Sequence, residues 1–136
     1  MDLRDSLTVA AAGMKVQGSR IKVIAENMAN SDSTAETPND LPYRRKVITF
    51  ENAMDRQLGL EMVRVHKIDK DRSDVQRRYD PTHPSANADG YVLYPNVNSL
   101  VEANDMREAQ RSYEANLSVI EASKTLLMRT IEILRG

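Results

Sequence analysis

Both ends of this chain carry an apolar stripe with coiled-coil spacing, and the middle carries none. Near the start, Leu3, Leu7, Ala10, Met14, Ile21, Ile24 and Met28 follow alternating steps of four and three, with Gln17 filling the one remaining register position. Near the end, Met106, Tyr113, Leu117, Ile120, Leu127, Ile131 and Leu134 do the same, with Gln110 and Lys124 as polar interruptions. A stripe held that long gives a narrow seam that is normally buried against a partner helix. The termini are thus expected to meet each other or other helices, which points to assembly rather than catalysis. An ordinary helical hairpin packing on itself is the plainer alternative.

At 136 residues the chain is one domain's worth, or a small module with extended arms. Its aromatic content is Phe50 and five tyrosines with no tryptophan. Aromatic side chains supply much of a core's buried area, so a core here must rest on Leu, Ile, Val and Met. A net charge of −1 gives no global pull toward nucleic acid or an anionic membrane. With no cysteine, disulfides, thiol catalysis and thiolate metal sites are excluded, and the redox compartment stays open. No segment approaches the ~20 apolar residues of a membrane span, and the start of the chain lacks the basic and apolar regions of a cleavable signal.

The fold class expected is α+β: long terminal helices pairing in a coiled-coil-like layer, with a small antiparallel β insert between them. The N-terminal helical region is placed at 1–32, the linker and insert at 33–98, and the C-terminal helix at 99–136. The first helix should run from Leu3 to Asn30, weakened by Gly13 and Gly18, and end where Asn30 takes a left-handed conformation before the Ser31–Thr34 run. From Tyr43 to Phe50 the period shifts to two, and Met62–Ile68, Val75–Tyr79 and Tyr91–Tyr94 are further strand candidates. Ser99-Leu100-Val101-Glu102 fits a capping box opening the last helix.

Chemistry-bearing constellations are sparse. His66 and His83 lack zinc-site spacing, and Asp69, Asp71 and Asp74 lack the Gly and closing Glu of a calcium loop. On a strand, Arg44 and Lys46 would face one way and Arg45 the other, so this basic cluster suits acidic partners or solvent better than nucleic acid. No catalytic, cofactor-binding or metal-ligating set is assigned. The candidate site residues are contact residues: Leu3, Leu7, Met14, Ile21, Ile24 and Met28 in the first stripe, with Tyr113, Leu117, Ile120, Leu127, Ile131 and Leu134 in the second. Leu7, Met14, Ile21 and Ile24 are expected to pack against Leu117, Ile120, Leu127 and Ile131, within one subunit or between two.

Asn27-Met28-Ala29-Asn30-Ser31-Asp32-Ser33 resembles the N-(L/I/M)-A-N motif of flagellar rod and hook proteins, with Asn27, Ala29 and Asn30 its matching positions. Tyr43-Arg44, Phe50, Tyr79-Asp80-Pro81, Pro84, Ala86, Asp89-Gly90-Tyr91-Val92, Pro95-Asn96-Val97 and Arg111-Ser112-Tyr113-Glu114-Ala115-Asn116 are similar to the short proximal-rod members of that axial family. The resemblance implies a structural subunit of the periplasmic drive shaft, assembling helically around the export channel and transmitting torque. It implies as partners further copies of the chain, the rod proteins FlgB, FlgF and FlgG, and the flagellar type III export apparatus. It implies no cofactor, no nucleic acid and no membrane insertion, and export without a cleaved signal. Asn27 and Asn30 are expected to fix the helix exit through side-chain to backbone bonds, with simple capping as the plainer alternative. The alternatives are a sibling rod protein of the FlgB kind and, from a different class, a soluble helical binding module.

Overall fold

The first helix, α1 (Leu3–Ala29), begins with a reciprocal cap that the sequence reading overlooked. The Asp5 backbone N–H donates to the Asp2 carboxylate at 2.9 Å, and the Asp2 N–H donates to the Asp5 carboxylate at 3.2 Å. Two donors that a helix start leaves unpaired are satisfied, and both carboxylates sit at the positive end of the helix dipole. The computed structural model describes residues 2–136. The α1 helix ends one residue earlier than expected, and by another device. No non-glycine residue among those described has a positive φ, so Asn30 does not adopt the left-handed conformation. Instead its side-chain amide donates to the Glu26 carbonyl at 2.8 Å, and Ser33 Oγ donates to Asn30 Oδ1 at 3.0 Å.

Between the helices lie two separate antiparallel ribbons, β1 (Lys46–Asp55) with β2 (Leu60–Lys70), and β3 (Gln76–Tyr79) with β4 (Tyr91–Tyr94). The β1 strand starts three residues later than the alternation suggested and runs five further. Tyr43 donates its backbone N–H to the Ser33 carbonyl, and the Arg45 N–H goes to the Asn96 side chain, so neither is available to a ladder. The first ribbon turns at Asp55, whose Oδ1 accepts from the N–H groups of Gln57 and Leu58, while its carbonyl accepts from Gly59. In the second ribbon Gln76 pairs with Tyr94 and Tyr79 with Tyr91.

The last helix, α2 (Ser99–Arg135), starts where the sequence placed it, but its cap is Asn98 and not Ser99. Asn98 Oδ1 accepts from the N–H of Leu100 at 3.0 Å and of Val101 at 3.3 Å. Glu102, expected to close a capping box, turns inward and is spent on an arginine.

Two compact units result, and each draws on both helices and on the β1–β2 ribbon. The first comprises residues 1–21, 49–67 and 107–136, with Ala10, Val16 and Ala109 as its buried apolar centre. The second comprises residues 22–48 and 68–106, built around Val23, Ile24, Val92, Pro95 and Val97. In the second unit the Asp80–Gly90 loop is held by its own backbone, with Asp80 donating to the Gly90 carbonyl at 2.9 Å and Gly90 to the Asn87 carbonyl at 3.0 Å.

Two glycines give opposite expectations. Gly90 has φ of +85°, and a Cβ there would lie 2.9 Å from the Tyr79 ring and 3.2 Å from Pro81. Gly90→Ala should lower unfolding free energy by about 1–3 kcal/mol. Gly18 lies in the helical interior, and a Cβ there meets nothing within 4 Å. Gly18→Ala should raise stability by about 0.5–1 kcal/mol. Urea unfolding of the two variants beside the parent checks both signs.

Candidate assembly interface

In the first unit the helices meet in reverse order, since Gly13 lies beside Asn116 and the Arg20 guanidinium reaches Glu108 at 3.5 Å. The face of α2 turned inward reads Ala109, Tyr113, Asn116, Ile120 and Ser123, all buried or half-buried. This keeps Tyr113 and Ile120 of the expected stripe but takes the small residues Ala109, Asn116 and Ser123 in place of Gln110, Leu117 and Lys124. The physical reason is distance: small side chains let two backbones approach closely. Opposite them stand Ala10, Gly13 and Val16, and a Cβ on Gly13 would lie 2.9 Å from the Asn116 amide. Gln110 and Lys124 therefore stay on the exposed surface, while Gln17 is half-buried, its Oε1 without a hydrogen-bond partner.

The other predicted contact residues divide accordingly. Leu3, Leu7, Met14 and Ile21 are half-buried, Ile24 is buried, and Met28 is exposed. On α2, Leu117, Leu127, Ile131 and Leu134 are all exposed, Leu134 at 82%. Leu117 lies beside α1 but off the inner face, and the helix register explains the other three. With Gly13 at Asn116 and Arg20 at Glu108, the start of α1 at Leu3 falls near the level of Leu126. About nine residues of α2 then project beyond α1, ~13 Å at 1.5 Å per residue. That projection carries Leu127, Met128, Ile131, Ile133 and Leu134 with no helix of this chain alongside them.

In the second unit the motif residues have a different role. Asn27, only 1% exposed, uses its amide group as a strand uses its backbone. Its Nδ2 donates to the Lys46 carbonyl at 2.9 Å, and its Oδ1 accepts from the Lys46 N–H at 2.9 Å and from the Tyr43 hydroxyl at 2.7 Å. The expected role at the helix exit belongs to Asn30 alone; Asn27 ties α1 to the start of β1. Ala29 is exposed at the last helical position. Burial raises the Tyr43 hydroxyl above its ordinary pKa, keeping it a neutral donor to Asn27.

The basic triplet is consumed inside the same unit. Arg44 donates to the carbonyls of Asp71 and Ser73 at 3.0 and 2.8 Å. Arg45 Nε meets the buried Glu102 carboxylate at 2.5 Å, with Asp71 at 3.3 Å and Asp105 at 3.8 Å. Burial works against the Arg45 charge, but the hydrogen bond and charge of Glu102, then those of Asp71, outweigh it and raise its pKa. Lys46 Nζ pairs with Glu26 at 2.9 Å, a bond that lowers the Glu26 pKa and raises that of Lys46. Asn96 completes the knot, accepting from the Arg45 N–H and donating to Asp71 and Ser73. The acidic partners of Arg45 and Lys46 are thus the chain's own carboxylates, and Arg44 is met by backbone carbonyls.

The histidines have structural partners. His66 Nδ1 lies 2.8 Å from Glu51, which also holds Arg64, and His83 Nδ1 accepts from the Ser85 N–H at 3.0 Å. Among the described residues no group of three or more potential ligands could hold a metal ion, and no helix is long and apolar enough to cross a membrane.

Two long terminal helices around a small β insert, with apolar surface left uncovered at the end of α2, define the architecture of a helical assembly subunit. A family model described as the C-terminal region of flagellar basal body rod FlgEFG proteins matches residues 88–133. Over most of its length the chain is similar to flagellar basal-body rod proteins FlgC. That of Agrobacterium fabrum is 46% identical, covering 94% of this chain and 92% of its own. That of Borreliella burgdorferi is 40% identical with both chains covered in full, and that of Salmonella typhimurium is 31% identical over 98% of each. The chain belongs to the FlgC family of flagellar basal-body rod proteins.

Replacing Asn27 by Ala strands the N–H and C=O of Lys46 and the Tyr43 hydroxyl together. Urea unfolding should show a loss of about 2–4 kcal/mol. Acid should act through Asp71. The N–H and hydroxyl of Ser73, then Arg45, hold its carboxyl below the ordinary 3.8. A group whose folded pKa is lowered contributes stability above its unfolded pKa and loses it as pH falls through the folded value. Stability measured below about pH 4 should therefore fall less steeply in Asp71→Asn than in the parent.

Proposed function

We propose that this chain is a structural subunit of the proximal rod of the bacterial flagellar basal body, where it joins copies of itself and rod proteins such as FlgB, FlgF and FlgG. Its role is mechanical: to form part of the periplasmic drive shaft that transmits torque and surrounds the export channel. It reaches that place through the flagellar type III pathway without cleavage, and it performs no catalysis. Family membership supports the placement in the rod. The observation that carries the mechanical reading is the projecting end of α2.

From Leu126 to Leu134 the apolar residues of α2 cover about 220° of its circumference at 100° per residue. A helix that packs on one neighbour needs an apolar stripe only ~100° wide. The projection is therefore suited to burial among several neighbours, which a shaft of laterally packed subunits provides. Contacts that are heterologous and do not close into a ring generate such a helical assembly. Many interlocked helix contacts also suit torque, because load is shared along the whole length of each helix.

Leu134→Asp separates assembly from folding. Leu134 is 82% exposed, so the isolated chain should keep its unfolding free energy within about 0.5 kcal/mol. In the rod the same carboxylate would be buried without a partner. The variant should be absent from purified basal bodies, and its cells should be non-motile. Normal motility with Leu134→Asp in the rod would show that the projection is not a buried contact.

A further inference from the structure

The two edges of the β3–β4 ribbon are finished differently. Asp80 donates its N–H to the Gly90 carbonyl at 2.9 Å, continuing the register in which Arg78 faces Val92 and Gln76 faces Tyr94. In an antiparallel ladder such hydrogen-bonded pairs alternate with pairs whose N–H and C=O groups point away from the partner strand. Arg77 and Tyr79 on β3, and Tyr91 on β4, therefore turn their backbone groups outward. On β4 the outward groups of Tyr91 are closed by Asn87, whose Oδ1 accepts from the Tyr91 N–H at 2.9 Å and whose own N–H donates to the Tyr91 carbonyl at 3.0 Å. On β3 no further strand lies alongside among the described residues, and all four of its residues are exposed. The N–H and C=O groups of Arg77 and Tyr79 form an open strand edge.

We propose that this edge of β3 receives an extended segment of another protein as an added antiparallel strand, with a carboxylate opposite Arg77 and an apolar side chain opposite Tyr79. The backbone of such a segment supplies the donors and acceptors that the edge lacks. Side chains then choose among segments. Arg77 and Tyr79 project from one face, since residues two apart on a strand share it. Tyr79 is 68% exposed and meets Tyr91 edge-on at 5.4 Å between ring centroids, so the pair offers an apolar platform. Arg78 is already engaged, stacked on the Tyr94 ring at 4.2 Å and 3.6 Å from Asp32. Arg77 has no such partner among the described residues. Asp40, which lines the same small pocket, accepts from the Thr37 hydroxyl at 2.7 Å. Asp74 and Asp80 stand beyond the two ends of the strand, so the acid belongs opposite Arg77 and not along the whole segment. A second copy's β3 is a poorer occupant. Setting Arg77 against Tyr79 of that copy brings Arg78 directly against Arg78, and setting Arg77 against Arg77 opposes like charges as well. This contact does not rest on the rod reading.

The probe is the end-blocked peptide Thr-Thr-Val-Thr-Glu-Thr-Thr, added at millimolar concentration to the full chain and followed by amide NMR. It should slow exchange of the Arg77 and Tyr79 amides, while the Arg78 amide, bonded to Val92 in either state, stays unchanged. Lys in place of Glu should weaken binding at least about threefold, and Arg77→Glu should reverse that order. N-methylation of the peptide's Val and Glu, which removes the N–H groups that meet β3, should abolish binding, whereas N-methylation of the Thr between them should leave it. Failure of the peptide to protect Arg77 and Tyr79, equal protection by the Glu and Lys peptides, or binding that survives N-methylation of Val and Glu would each overturn the proposal. Protection of both amides in the peptide-free chain that rises with its concentration would place a second copy on the edge and overturn it too.

Discussion

The second unit depends on one side-chain amide imitating a strand. Asn27 presents a donor and an acceptor in the geometry of a backbone peptide and satisfies both polar groups of Lys46. A third bond from Tyr43 uses its remaining acceptor capacity. Because the group is buried, each bond is made out of competition with water, and losing the amide would leave several polar groups unpaired at once. That requirement fixes where β1 begins. It places Arg45 beside Lys46, directed to Glu102, and Glu102 in turn belongs to the first turn of α2. One amide and one arginine thus link α1, β1 and α2 within that unit, with Asn96 and Asp71 as further partners of Arg45, while the buried Glu102 Oε2 is left without a hydrogen bond.

The first unit is organised by the opposite means. Its helix seam uses Ala10, Gly13, Ala109, Asn116 and Ser123, which bury little apolar area each but allow close approach. Large apolar residues flank that seam or project past it and remain at the surface. For an isolated monomer this is an uneconomical use of Leu, Ile and Met. Under the proposed rod role it is consistent: intramolecular packing uses the small residues, and the area with the larger hydrophobic driving force is left for neighbours.

Much of this was legible beforehand, for definite reasons. Periodicity of four and three located both helices, because it reports a face rather than a contact. Alternation located the strands, and β4 matches to the residue. Local competition was harder to read. The cap at Asn98 displaced the expected Ser99 box, and the Asp2 cap of α1 gave no periodic signal, since several polar residues near a helix start can bond the free N–H groups and only geometry selects one. The seam was misplaced for a related reason. Apolar spacing marks Leu117 and Leu127, yet the inner face of α2 took Asn116 and Ser123, because helix–helix distance rewards small size over hydrophobicity.

Local propensity, periodic pattern and motif sufficed for the class of fold, the extent of its helices to within a residue, and membership of an axial assembly family. Tertiary structure alone decided which of two adjoining helix faces is inside, that Asn27 serves β1 instead of the helix end, and that Arg45 and Lys46 meet the chain's own carboxylates while Arg44 meets backbone carbonyls. Each of those depends on residues far apart in sequence competing for the same hydrogen bond, ion pair or packing space, and no local pattern records the winner.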